Sequence, residues 1–135
     1  MSNCPCHSQK KYRECCAPFH LGAAPENGLL LMRSRYSAYS LGLVKYIIET
    51  THPQSRFYCT NKQEWEGEIL EFCKATVFHD LLILQHISTP TLETVTFRAI
   101  LFEGGHDISF TEKSTFLRYN GRFTYFEGEI IDRSH

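Results

Sequence analysis

No long apolar run interrupts this chain of 135 residues. A helix that crosses a bilayer needs about 20 consecutive apolar residues, so a membrane span is not expected. Charge of one sign is also missing. Fourteen Lys and Arg stand against fifteen Asp and Glu, for a net charge of −1, which excludes the broad basic footprint of a nucleic-acid binder. No Ser/His/Asp or Cys/His catalytic set is legible. The only glycine pair, in "EGGH" at 103–106, is too short for a phosphate loop and suits a hairpin turn. His79, His86 and His106 are scattered and read as surface or satisfied histidines. The first residues, "MSNCPCHSQKK", are polar and unlike a secretory leader. A cytoplasmic location is expected, where thiols stay reduced.

Cysteine is what the chain has in one place. "CPCHSQKKYRECC" sets Cys4, Cys6, Cys15 and Cys16 within thirteen positions. Disulfides fit poorly. Adjacent Cα atoms lie about 3.8 Å apart, whereas a relaxed bridge wants about 4.4–6.8 Å. Dithiol redox proteins show Cys-x-x-Cys beside a βαβ unit, and neither is present. Tetrahedral zinc on four thiolates fits best. Pro5 stiffens the first pair. Ser8 is expected to cap a short turn leading to the second pair. Lys10, Lys11 and Arg13 offset the surplus negative charge and favour thiolates. His7 and His20 are expected to be exposed bystanders. So short a segment has little core of its own, so metal would supply its folding energy. Replacing Cys15 with Ser is therefore expected to free residues 1–20 and leave the rest folded.

The positions Cys4-Pro5-Cys6, Ser8, Lys10-Lys11-Tyr12 and Cys15-Cys16 resemble the SEC-C zinc motif. That motif also ends the bacterial preprotein translocase motor, where it contacts an export chaperone and ribosomes. The resemblance implies zinc as cofactor and a protein partner for the knuckle. His7 and Gln9 depart from the usual pattern, which has glycines there. If those glycines hold positive φ, this copy is strained.

Ala17 to Pro25 reads as a connector, with Pro25 placed to sit in the first turn of a helix. Leu29, Met32, Tyr36, Tyr39 and Leu43 recur at helical spacing. Gly42 splits this run from a second helix carrying Val44, Tyr46, Ile47 and Ile48, which stops at "TTHP". Asn61 and Glu64 form a capping-box pair for a third helix, with Trp65, Ile69, Phe72 and Cys73 on one face. Cys73 reads as a packed thiol and Cys59 as a loop thiol. From residue 76 the period changes to two. Val95, Phe97, Ala99 and Leu101 alternate with outward residues, "EGGH" and Asn120-Gly121 mark turns, and "RFTYFEGEI" is the last strand. Helices followed by antiparallel strands predict an α+β fold with helices packed on one face of a curved sheet.

"LMRSRYSAY", "THP", Trp65 and "TEKSTFLRYNGRFTYFEG" resemble the YchJ-like bacterial proteins. That resemblance implies a SEC-C motif, here residues 1–20, ahead of a cone-shaped, cystatin-like domain of the nuclear-transport-factor superfamily, here 21–135. Related sequences often carry Trp where this chain has Thr51. The resemblance brings no defined activity. Such cones often leave a pocket, and Arg33, Arg35, His52, Trp65, Glu112 and Ser114 are the candidate lining. Glu112 is expected to face either that pocket, as a general base, or an arginine of "MRSRY" as an ion pair. The first functional reading is a non-enzymatic adaptor that binds a protein through the knuckle and holds a small molecule in the cone, or dimerises. The alternative is a small isomerase or hydratase with an acid or base at the cone's mouth.

Overall fold

The computed structural model describes residues 3–133. A single 3-10 turn, Tyr12–Glu14, and a short helix α1, Ala17–His20, follow the first cysteines. Helix α2 spans Gly28–Leu41. Asn27 caps it, its side-chain oxygen accepting from the Leu30 amide at 2.8 Å. Pro25 lies ahead of this cap rather than in the first turn, because Asn27 supplies the acceptor that a helix start needs. At the other end Gly42 adopts φ 74°. The Leu43 and Gly42 amides return to the Ala38 and Tyr39 carbonyls at 2.8 and 3.2 Å, a paired closure that favours a residue without a β-carbon. Helices α3, Val44–Glu49, and α4, Lys62–Ala75, complete the helical layer. Asn61 caps α4 by accepting from the Glu64 amide at 3.1 Å.

Five antiparallel strands follow: β1 Thr76–Ser88, β2 Leu92–Glu103, β3 His106–Asp107, β4 Phe110–Tyr119 and β5 Arg122–Arg133. They order as β1-β2-β4-β5, with the two-residue β3 on the end of β2. The β4–β5 turn holds Asn120 and Gly121 at φ 52° and 80°, the left-handed pair that a tight hairpin requires. Register shifts interrupt β1–β2 twice and β4–β5 twice. Such bulges increase local twist and coil the sheet into a trough.

On the trough face Val95, Phe97, Ala99 and Leu101 are buried against Leu31, Met32 and Tyr36 of α2. Ala38, Ile47, Ile48, Trp65 and Ile69 form a second cluster where α3 and α4 close the other end. The chain leaving α3 is stitched to the last strand. Thr51 bridges Tyr125 in parallel, and the Tyr125 amide donates to the Thr50 carbonyl at 2.7 Å. Among the described residues no helix is long and apolar enough to cross a membrane.

Candidate functional site

The four sulfurs of Cys4, Cys6, Cys15 and Cys16 lie within 4.8 Å of one another. Cys6 and Cys15 are 3.6 Å apart, and Cys15 and Cys16 are 3.9 Å apart. A tetrahedron with metal–sulfur bonds of about 2.3 Å has edges of about 3.8 Å, close to the spacing of these two pairs. The local chain explains how. A Cys4 amide bond to the Lys10 carbonyl and a His7 amide bond to the Cys4 carbonyl, at 2.7 and 3.0 Å, fold the first pair back on itself. The 3-10 turn then brings up the second pair.

Ser8 does not cap that turn, which starts after Lys11 with no side-chain cap. Its hydroxyl lies 3.1 Å from the Cys15 sulfur and accepts from the Lys10 amide. His7 and Gln9 adopt φ 63° and 74°, the left-handed region that costs a side-chain-bearing residue about 1–2 kcal/mol. His7 and His20 are not bystanders. His7 donates from Nε2 to the Phe78 carbonyl at 3.1 Å. His20 donates from Nε2 to the Ser34 carbonyl at 2.8 Å, so its Nδ1 accepts the Tyr12 hydroxyl at 2.6 Å. Burial pushes the His20 pKa down, consistent with a neutral ring in that role.

The thiols share charge unevenly. Sulfhydryl donation, first from Cys16 and against burial, holds Cys6 down at about 4. Burial pushes Cys4 up to about 11. Cys16 is pushed upward by its bond to Cys6 and then by burial. Four thiolates packed this closely require a cation among them. Arg33 adds positive charge beside the most acidic sulfur. Its Nη1 donates to the Cys6 carbonyl at 3.1 Å and lies 3.8 Å from the Cys6 sulfur. Cys4, Cys6 and Cys16 also belong to the same apolar cluster as Leu31, Val95 and Phe116. The segment packs into the core of the cone, contrary to the expectation that it stands apart.

Across the helical layer lies a cavity of about 440 Å³ between α2, α3, α4 and the trough. Arg35, Trp65, Glu112 and Ser114 line it. Arg33 and His52 do not. Positions two apart on a helix point about 200° apart, so Arg33 faces the thiols while Arg35 faces the cavity. His52 is buried between the rings of Tyr119 and Phe126, at centroid distances of 5.1 and 5.3 Å.

Among the described residues no arginine forms an ion pair with Glu112. Its Oε2 accepts from the Ser114 hydroxyl at 2.5 Å and from the Tyr125 hydroxyl at 3.2 Å. The sequence did not single out Tyr125, which lines the cavity, or Gly128, which lies against Glu112. A β-carbon at Gly128 would overlap the Glu112 carboxyl and the Tyr125 hydroxyl, so the bare backbone makes their room. Thr51, where related sequences often carry tryptophan, lines the cavity.

Two family models match this chain. The model described as YchJ, middle NTF2-like domain, covers residues 27–128, and the SEC-C motif covers residues 2–18. A UPF0225 protein of Streptomyces coelicolor is 37% identical over 96% of each chain. A UPF0225 protein of Haemophilus influenzae is 35% identical over 96% of this chain and 79% of its own. Among solved structures, a SEC-C motif containing protein from Rhodopseudomonas palustris superposes with a TM-score of 0.82 at 32% identity, covering 97% of this chain and all of that one. One from Psychrobacter arcticus superposes at 0.72 with 24% identity, over 96% and 80%.

Proposed function

The chain belongs to the YchJ family, and from that premise we propose that it is a zinc-stabilised, non-enzymatic binding protein whose cone holds a small, largely apolar ligand. The observation that carries this reading is the cavity of about 440 Å³, within the range of small-molecule sites, walled mainly by aromatic and aliphatic side chains. Zinc is the cation because an all-thiolate tetrahedral set selects zinc or iron–sulfur chemistry, and a single-ion site with buried sulfurs suits a structural zinc. Cys4, Cys6, Cys15 and Cys16 would hold it, and the ion would supply the charge that lets all four sulfurs ionise. The exposed Lys10, Lys11 and Arg13 then present a basic turn suited to an acidic protein partner. The outward apolar residues of β1, Val77, Leu82 and Leu84, are the surface a second copy would cover.

The test combines elemental analysis with native mass spectrometry on protein purified without added metal. One zinc per chain and a retained or added small molecule are expected. Absence of metal, or the visible absorption of iron–thiolate, would overturn the zinc assignment. A cone that takes up no small molecule would overturn the binding assignment.

One observation favours the enzymatic alternative. Glu112 lines the cavity with Oε1 free of any protein hydrogen bond among the described residues, as an isomerase or hydratase base would. Incorporation of solvent deuterium into a bound carbon acid, lost in Glu112→Gln, would establish that reading.

A further inference from the structure

Opposite charges line the cone cavity without meeting: Arg35 on α2, Glu112 on β4 and, more exposed, Glu68 on α4. Arg35 is only 8% exposed. Its Nη1 donates to the Ile47 carbonyl at 3.0 Å and to the Thr50 and Thr51 hydroxyls at 2.7 and 3.3 Å. The Tyr39 hydroxyl also interacts with the guanidinium, but among the described residues no carboxylate oxygen lies within 4.0 Å of it. Tyr39 is no counter-charge. Burial raises its pKa, with Arg35 pulling the other way, so it stays a neutral phenol.

Glu112 is the mirror case. Both of its hydroxyl donors, Ser114 and Tyr125, approach Oε2, and Oε1 is left with none. The Tyr125 ring keeps the two charges apart. The Arg35 guanidinium carbon sits 4.7 Å from its centroid, while its hydroxyl is bound to Glu112. A guanidinium without a counter-charge is costly to bury. The guanidinium carries the planar donor fork that grips a carboxylate. The free Oε1 of Glu112 is a bare acceptor, which an N–H donor complements. Trp65, Phe97 and Phe116 supply apolar wall beside both groups.

Resting on the binding function proposed above, we infer that the cavity takes a small zwitterion with an apolar, ring-bearing body: an aromatic α-amino acid or a close relative. Its carboxylate would sit on the Arg35 guanidinium and its ammonium on Oε1 of Glu112. An acid alone would place a second negative charge beside Glu112. An amine alone would set a second positive charge beside Arg35. A neutral apolar molecule would leave both protein charges desolvated and without partners. Only a ligand carrying both signs satisfies both walls.

The test is titration calorimetry on the full metal-loaded chain with four compounds of one shape: L-phenylalanine, phenethylamine, 3-phenylpropionate and 3-phenylpropanol. Phenylalanine is expected to bind at least tenfold tighter than each of the other three. Glu112→Gln, its fold checked by circular dichroism, should lower phenylalanine affinity to that of the acid analogue without weakening the acid. Equal affinity of any single-charge analogue, or a Glu112→Gln protein that holds phenylalanine unchanged, would overturn the inference. Tightest binding of the neutral alcohol would overturn it too, yet leave the binding function standing. If none of the four binds, and none of the corresponding tryptophan series, the binding function falls as well.

Discussion

Arg33 donates from Nη1 to the Cys6 carbonyl at 3.1 Å and reaches the Cys6 sulfur at 3.8 Å. Two residues along the same helix, Arg35 turns to the opposite flank and enters the cavity. The "RSR" triplet thus serves two sites at once, with buried Ser34 between them accepting the Tyr46 hydroxyl or donating to it at 2.6 Å.

Arg33 is accordingly a positioning residue for the metal centre. It fixes the backbone of one ligand and places positive charge beside that ligand's sulfur. Arg33→Met should lower zinc affinity about 10–100-fold, the range for partners of metal ligands, as read by competition with a chromophoric chelator. Arg33→Lys should recover part of the loss, since lysine keeps the charge without the planar fork. Unchanged affinity in Arg33→Met would remove the arginine from the site.

Glu93 gives a pH prediction. It is buried, and accepts from the Gly28 amide at 2.6 Å, His86 Nε2 at 2.7 Å and the Ser88 hydroxyl at 3.0 Å. Burial pushes its pKa up, but the bonds from His86, Gly28 and Ser88 together outweigh burial and hold it below the usual carboxylate value. A carboxyl with a depressed folded pKa contributes stability that is fully present above its unfolded pKa. That contribution is lost as pH falls through the folded pKa. Glu93→Gln should therefore cost about 1–3 kcal/mol at neutral pH. The gap from the parent protein should shrink as pH drops below about 4.3, the unfolded glutamate value. Urea denaturation at several pH values measures it, and a gap independent of pH would refute the assignment.

Gly128 should not tolerate even one methyl group. Gly128→Ala pushes into Glu112 and Tyr125, and overpacking of this kind costs about 1–3 kcal/mol. Glu112→Ala in the same chain should return part of that loss, so the two changes should be non-additive. Additive thermal-unfolding losses would mean that the carboxylate does not occupy the space above the glycine.

Gln9 is exposed and strained at φ 74°. Gln9→Gly should raise the stability of the metal-loaded protein by about 1 kcal/mol, read as a rise in melting temperature. A fall would show that the side chain contributes something its exposure hides.

Much of this was legible in local sequence. Alternation from Val95 to Leu101 marked the buried face of β2, Asn120-Gly121 marked the hairpin, and Gly42 marked the end of α2, because each signal acts over a few residues. The cysteine spacing brought four sulfurs together for the same reason. What escaped was set by long-range partners. Ser8 was expected at a helix cap but found a sulfur instead. His20 was taken as exposed until α2 supplied a carbonyl 14 residues away. Arg33 was placed in the cavity although its two-residue offset from Arg35 argued otherwise. Gly128 is informative only once Glu112 from the neighbouring strand is laid over it.

The stitch between Thr51 and Tyr125 bears on the order of folding. Closing it joins segments 74 positions apart, and contacts at such separation form slowly because the loop must be ordered before they reward it. The cavity draws its polar wall from α2, from the exit of α3, from α4, from β4 and from β5. The cavity is therefore complete only once β5, the last of the five described strands, is in place. A chain halted before Tyr125 could carry every thiol and Arg35 and still have neither the ring that separates the two charges nor the hydroxyl that orients Glu112.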